Sequence, residues 1–258
     1  MKRLLLAVAV LVVLFVLAVP ILHSWTYDPL ERGLHAYNGG HYATALEYWL
    51  PLAKAGDRRA QRLVGLMYEH GQGVPQDPGR AVEWYRKAAD RGDADGQAFL
   101  GIMHVKGQGV ARDDGQAVAW FQKAAAQGSA RAFSLLGDMY SRGRGVQKDD
   151  QKAAGSYRKA VELYSKAARQ GNVDAEAALG FAYARGNGVQ QDYSQAFEWL
   201  SKAAEQGDQI AQYNLSFMFD KGLGVAQDSK QAAEWYRKAC PSTCNFSAPE
   251  LIPKEGAP

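Results

Sequence analysis

Apolar residues recur with a helical period along most of the chain, and one pattern of them returns five times. In each copy a small, a large, a small and an aromatic residue stand at positions i, i+4, i+5 and i+8. This spacing keeps the four side chains on one side of an α-helix, so it predicts the first helix of a pair. The four positions are held by Ala60, Gly96, Ala132, Ala175 and Ala211; by Val64, Leu100, Leu136, Leu179 and Leu215; by Gly65, Gly101, Gly137, Gly180 and Ser216; and by Tyr68, His104, Tyr140, Tyr183 and Phe219.

A second helix is predicted after the first in every copy. It begins at an aspartate, which caps the helix and suits its positive end. An alanine and an aromatic pair follow at helical spacing, and we interpret them as packing positions, with a sugar-stacking ladder of tryptophans as the alternative. The aspartates are Asp77, Asp113, Asp149, Asp192 and Asp228, and the pairs are Trp84-Tyr85, Trp120-Phe121, Trp199-Leu200 and Trp235-Tyr236.

Two glycine signatures divide the helices from one another. A glycine followed by a capping residue precedes each first helix, and a Gly-x-Gly-Val turn follows that glycine at the same spacing in all five copies. Glycine tolerates the left-handed conformation that closes a helix, and a short polar side chain caps the next one. The turns lie at Gly71–Val74, Gly107–Val110, Gly143–Val146, Gly186–Val189 and Gly222–Val225. Their steps of 36, 36, 43 and 36 residues are typical of stacked helical repeats.

The 43-residue step comes from an apparent duplication of seven residues, in which Ser156–Glu162 is followed by the similar Leu163–Arg169. Seven residues are about two helical turns, or about 10 Å of helix. We therefore expect a longer second helix in the third copy, with an end that projects past its neighbours. Neutral drift and a functional contact point are both possible origins.

The chain divides into four segments on this pattern. Residues 1–24 form a signal anchor or transmembrane segment, and residues 25–56 form a capping hairpin of two short helices, Asp28–Asn38 and His41–Ala55. Residues 241–258 form a tail. Between them lie five repeats, predicted at 57–92, 93–128, 129–171, 172–207 and 208–240.

Residues 4–22 carry no charge and follow Lys2 and Arg3. Their length suits a transmembrane helix better than the shorter core of a cleavable signal. The positive residues should stay in the cytoplasm. We therefore expect a single-pass anchor in the inner membrane with the repeats in the periplasm; the alternative is a periplasmic or secreted protein after signal cleavage.

Composition and motifs argue against several function classes. Basic residues number 30 against 27 acidic ones and are scattered, which gives a net charge of +3 and little support for nucleic-acid binding. The Gly-x-Gly turns lack the third glycine of a dinucleotide loop, and the five histidines lack zinc-site spacing. We expect no catalytic residue, no metal and no cofactor, and we interpret His104 as a packed member of the aromatic position.

The two cysteines, Cys240 and Cys244, stand on either side of Pro241 near the end of the chain. In an exported compartment this spacing favours a local disulfide. Free thiols or a metal site remain as alternatives, although no neighbouring Cys or His supplies further metal ligands.

The recurring strings resemble the Sel-1-like repeat, a relative of the tetratricopeptide repeat. The strings are Leu136-Gly137-x-x-Tyr140, Gly143-x-Gly145-Val146 and Trp84-Tyr85-x-Lys87-Ala88-Ala89-x-x-Gly92. The resemblance implies an all-α fold, a right-handed superhelical solenoid of helix pairs, that serves as a non-catalytic adaptor of the bacterial envelope. Some cysteine-rich relatives are linked to binding or hydrolysis of β-lactams or cell-wall fragments, but they carry a cysteine pair in each repeat, and this chain has one pair in total.

By the same resemblance, the first helix of each pair lines a concave groove that binds a protein or peptide partner, and we expect a monomer. Groove candidates are residues of the first helices that lie outside the packing stripe. They are Arg62, Leu66, Glu69, Ile102, Val105, Asp138, Phe181, Tyr213 and Phe217.

Overall fold

The computed structural model describes residues 28–240, which form twelve α-helices and no strand. The helices pair in sequence order, so this part of the chain is an all-helical repeat solenoid. They are α1 (Pro29–Asn38), α2 (Tyr42–Ala55), α3 (Arg58–His70), α4 (Pro78–Asp90), α5 (Ala94–Lys106), α6 (Asp114–Ala126), α7 (Ala130–Arg142), α8 (Asp150–Ala168), α9 (Val173–Arg185), α10 (Tyr193–Glu205), α11 (Gln209–Lys221) and α12 (Ser229–Ala239).

The described residues divide into two compact units, one of 28–103 with 107–111 and the other of 104–106 with 112–240. Each unit is described by itself. Within 28–240 no helix has the length and apolar character needed to cross a bilayer. The anchor predicted at residues 4–22 lies outside the described residues.

Caps begin and end the helices at the residues that the sequence indicates. The side chains of Asp57 and Asp208 each accept a hydrogen bond from the amide three residues later, at 2.8 and 2.6 Å. Gly71 and Gly222 close the same first helices in the left-handed conformation. Each aspartate that caps a second helix also donates its backbone amide to the carbonyl of the aromatic position in the first helix, as from Asp77 to Tyr68 at 2.9 Å.

Within a pair, the small residue of the first helix lets an aromatic residue of the second helix approach. A Cβ on Gly65 would lie 2.7 Å from the ring of Tyr85, and one on Gly137 would lie 2.5 Å from that of Tyr157. Tyr85 is fully buried as a result. The core of a pair therefore forms where a ring occupies the space that the missing Cβ leaves.

The tryptophan that precedes this ring packs differently. Trp84, Trp199 and Trp235 are half-buried and Trp120 is buried, and a lysine one turn later covers each of the four indoles. The distances from Nζ to the ring centroid are 4.1 Å for Lys87, 4.0 Å for Lys123, 4.1 Å for Lys202 and 3.9 Å for Lys238. These four tryptophans therefore join the packed interior to a lysine-covered surface through cation–π contacts.

Successive repeats meet where the Gly-x-Gly turn touches the preceding second helix. A Cβ on Gly73, Gly145 or Gly224 would clash with the backbone at the first residue of that helix. The contacted residues are Tyr42, Asp114 and Tyr193, so the separation along the chain is the same in each case. All three glycines have a positive φ, between 66° and 72°. Only glycine combines this backbone conformation with so close an approach.

The turn of the fourth repeat docks in a different place. Gly188 lies against the backbone of Tyr157, which is at the same separation along the chain but is the eighth residue of α8. The fourth repeat is therefore shifted by two turns, or about 10 Å, along that helix. As expected, α8 is longer than its counterparts, with 19 residues against 13 in α10. The prediction that the end of α8 projects past its neighbours is wrong. The first half of α8 packs within the third repeat, and the fourth repeat docks on the second half.

A glutamine side chain ties the first helix of the first, second and fifth repeats to the helix before it. The amides of Gln61 and Gln212 donate to backbone carbonyls eight residues earlier, both at 3.0 Å. Glu176 holds this position in the fourth repeat, is 5% exposed, and accepts a hydrogen bond from Gln206 at 2.6 Å. A carboxylate cannot donate to the equivalent carbonyl, that of Ala168, so this junction lacks the bond that Gln212 makes in the fifth repeat.

We expect Gly188→Ala to lower the free energy of unfolding by at least about 2 kcal/mol, because alanine is strained at a φ of +77° and would clash with α8. Gly155→Ala is the matched control. Gly155 lies inside α8 with open space around its Cβ, so alanine should stabilise the helix by up to about 1 kcal/mol. Urea unfolding followed by circular dichroism measures both changes, and equal effects would contradict the docking contact.

We expect Glu176→Gln to raise the free energy of unfolding by about 1 kcal/mol, because glutamine can donate to the Ala168 carbonyl and still accept from Gln206. The reverse change, Gln212→Glu, should destabilise the protein, because it removes the observed bond to Ala204. Chemical denaturation of the two variants beside the parent tests the pair. A destabilised Glu176→Gln variant would show that the acid is the better residue there.

Candidate partner-binding face

The nine groove candidates occupy three recurring positions on the first helices. Arg62, Leu66 and Glu69 show the spacing, which is i, i+4 and i+7 on α3 and places them on one face of the helix. We use the name partner-binding face for these nine residues; Arg62, Leu66, Glu69 and Ile102 belong to the first unit and the other five to the second, and the contacts below are those within each unit. All nine side chains are half-buried: Arg62, Leu66, Glu69, Ile102, Val105, Asp138, Phe181, Tyr213 and Phe217. Each therefore makes contacts within the protein and presents a remaining part to solvent.

Arg62 is tied to the start of the next repeat. Its Nε lies 3.1 Å from the Asp93 carboxylate, as an ion-pair contact without the alignment of a hydrogen bond, and its Nη2 lies 3.8 Å from Asp95. Burial raises the pKa of Asp93, and the hydrogen bond from the Gly96 amide and the charge of Arg62 oppose that shift. Arg62 thus offsets the cost of a buried capping carboxylate.

The two acidic members hold the core rings of the second helices. The hydroxyl of Tyr85 donates to Glu69 at 2.7 Å, and that of Tyr157 donates to Asp138 at 2.6 Å. Burial and then the neighbouring carboxylate raise the pKa of both tyrosines. Both hydroxyls therefore stay protonated at neutral pH and remain donors.

The aromatic members lie over the core of the last repeats. Phe181 and Phe217 pack against the cluster that contains Leu200 and Leu215. The ring of Tyr213 is 6.1 Å from that of Tyr236, whose side chain is 48% exposed. Part of each ring remains accessible, so these residues are the apolar contact points of the face.

A cleft of about 190 Å³ lies beside Phe181, and the sequence did not predict it. We call it the α8 cleft; its lining includes Ser134, Tyr157, Tyr164, Ala178, Phe181 and Arg185. The sequence had singled out Phe181 and the duplicated segment of α8 separately. Only the tertiary structure shows that both line the same cleft.

No three His, Cys, Asp or Glu side chains in residues 28–240 are placed to hold a metal ion. His104 is 6% exposed, and its Nδ1 has no hydrogen-bond partner, in agreement with a packing role. Cys240 follows α12, while Cys244 lies outside the described residues, so the disulfide stays a prediction.

A family profile described as the Sel1 repeat matches the chain at residues 58–93, 94–129, 134–172, 173–208 and 209–240, which is more than half of its length. No curated protein sequence matches the chain.

Solved structures of repeat proteins are similar to the chain. A protective antigen of uropathogenic Escherichia coli is 33% identical over 83% of this chain, which spans 53% of that protein, with a TM-score of 0.49. A Sel1 repeat protein from Oxalobacter formigenes is 32% identical over 84% of this chain and 83% of its own, also with a TM-score of 0.49. An immunity protein from Pseudomonas aeruginosa is 21% identical over 88% of this chain and 89% of its own, with a TM-score of 0.52, and shares the fold.

We expect Arg62→Gln to lower the free energy of unfolding by about 1–2 kcal/mol, because it leaves the buried carboxylate of Asp93 without its cation. Arg59→Gln on the same helix is the control, since Arg59 is exposed and should change stability by less than about 0.5 kcal/mol. Urea unfolding of the two variants measures the difference. Equal stabilities would show that Arg62 is available to a partner at no structural cost.

Proposed function

Since the chain belongs to the Sel1 repeat family, we propose that its repeats form a non-catalytic scaffold that binds a protein or peptide partner on the partner-binding face. Sel1 repeats point to a protein-interaction scaffold and are generally non-catalytic. An array of helix pairs buries its apolar surface between neighbours and leaves an extended surface for recognition.

The observation that carries this proposal is the half-exposure of the aromatic residues Phe181 and Phe217. They hold the same position in successive repeats, and both rest on a packed core. Rigid aromatic side chains supported from below are the usual anchors of protein interfaces, because they bury a large apolar area at a small entropic cost.

We also propose that residues 4–22 anchor the chain in the inner membrane and that the repeats lie in the periplasm. The support is the uncharged run after Lys2 and Arg3, which orients a single span with its basic end in the cytoplasm. An oxidising periplasm would permit the disulfide between Cys240 and Cys244.

We expect Phe181→Ser with Phe217→Ser to reduce recovery of a cross-linked partner by at least about tenfold, because two buried anchors would cost a few kcal/mol of binding. The measurement is chemical cross-linking in intact cells, followed by purification of the tagged full-length chain from membranes. Gln122→Ser is the control, because Gln122 is an exposed residue on a second helix. A substitution such as Leu52→Ser would disturb a core cluster instead.

A cross-linker that cannot cross the inner membrane tests on which side of that membrane the repeats lie. Recovery with that reagent supports repeats in the periplasm, whereas recovery only with a permeant reagent would overturn the proposed orientation. Undiminished recovery from the double variant, with helical content preserved, would overturn the binding face. Loss of helical content would show that the two rings belong to the core.

A further inference from the structure

At the junction that holds the α8 cleft, the first helix has a small residue at a position where another junction has an aromatic ring. At the first junction the rings of Tyr85 and Phe99 stack, with centroids 5.1 Å apart and planes 14° from parallel. Tyr85 also faces Gly65 of its own pair. One tyrosine therefore packs against its own repeat and against the next one.

The duplication divides these two tasks between two residues. Tyr157 faces Gly137 of its own pair, while Tyr164, two turns further along α8, packs against a cluster that includes Ala175 and Leu179 of the next repeat. The position that corresponds to Phe99, allowing for the seven added residues, is held by Ala178. The third and fifth repeats have Leu135 and Asn214 at this position, so the fourth repeat has the smallest side chain of the set, and this alanine lines the cleft.

The size and lining of the cleft suit an aromatic side chain. Its volume is about 190 Å³, and an apolar cavity of about 150 Å³ is enough to hold benzene. Tyr157, Tyr164 and Phe181 supply ring surfaces around it, which favour stacked or edge-on contact with a further ring. Phe181 belongs to the partner-binding face, so the cleft and that face are continuous.

The charged residue of the cleft lining sets a second requirement for the ligand. Of the described residues that line the cleft, Arg185 is the one with a charge, and its side chain is exposed. Ser134 and Asn187 contribute polar atoms. A guanidinium beside a cleft with aromatic walls complements a ligand that carries a carboxylate next to an aromatic ring.

We propose that the α8 cleft is the specificity pocket of the partner-binding face and that it receives one aromatic side chain of the partner with a carboxylate beside it. This inference rests on the proposed function. It narrows the partner to a protein segment that presents a phenylalanine or similar ring next to an acidic group. The longer step of the third repeat then has a function, because it opens the pocket.

The test uses small probes on the purified full-length chain in nanodiscs. N-acetyl-phenylalanine carries both the ring and the carboxylate, its amide carries the ring alone, and N-acetyl-alanine lacks the ring. We expect N-acetyl-phenylalanine to shift the labelled methyl signals of Ala178 and Ala182 saturably, with a dissociation constant on the order of millimolar. The amide should bind about threefold more weakly, and N-acetyl-alanine should cause no saturable shift.

Three variants connect the shifts to the cleft. Ala178→Phe places a ring in the pocket, so it should abolish the Ala182 shift while leaving the melting temperature unchanged or higher. Ala119→Phe, at an exposed position of α6, is the matched control and should bind as the parent does. Arg185→Gln should remove the advantage of the acid over the amide. If Ala178→Phe fails to fold, Ala178→Leu serves in its place with a partial loss of binding.

Absence of a saturable shift in the parent, or undiminished binding to folded Ala178→Phe, would overturn the pocket. Equal binding of the acid and the amide would overturn the carboxylate requirement. The probes bind or fail without any partner, so this result is separate from partner recovery in cells. If partner recovery depends on Phe217 but the probes do not bind, the proposed scaffold function would stand and the proposed pocket would be overturned.

Discussion

Close contact between a glycine turn and the backbone of the preceding helix determines how neighbouring repeats meet. The second glycine of each Gly-x-Gly turn has a positive φ, and a Cβ there would overlap the backbone of that helix. Because the contact is between backbones, side chains on the outside of the helices can vary while the stacking geometry stays the same. The separation along the chain between the glycine and the residue it touches is constant. Each repeat therefore docks at a defined point, wherever that point falls in the helix.

That constancy explains how a seven-residue duplication changes the array without disrupting it. The turn at Gly188 keeps the same separation and so meets α8 at Tyr157 instead of at the first residue of the helix. Seven residues return to nearly the same helical face, so the apolar side of α8 still faces the core. The duplicated tyrosine, Tyr164, takes over the contact with the next repeat. A shift of two turns therefore leaves both repeats packed and opens a cleft between them.

The partner-binding face combines residues that stabilise the array with residues that are available to a ligand. Arg62 compensates the buried cap Asp93, and Glu69 and Asp138 hold the hydroxyls of core tyrosines. Substitution of these polar members would weaken the scaffold before it weakened binding. Phe181 and Phe217 rest on a core that is complete without their outer edges, and this makes them better suited to specific contact with a partner.

The sequence by itself determined the local structure. Helix pairs, caps, left-handed glycines and the longer α8 all follow from interactions between near neighbours in the chain, and the helices lie where that pattern predicts them. The nine residues of the face were chosen from the family resemblance as first-helix residues outside the packing stripe, and all are half-buried; their role in binding stays a prediction. Contacts between distant residues were decided only by the tertiary structure. The docking of Gly188 on Tyr157, the pairing of Arg62 with Asp93 and the cleft beside Ala178 depend on which turns of neighbouring helices meet. The periodic pattern of α8 is the same after a shift of seven residues, so periodicity could not distinguish a projecting helix end from a displaced repeat.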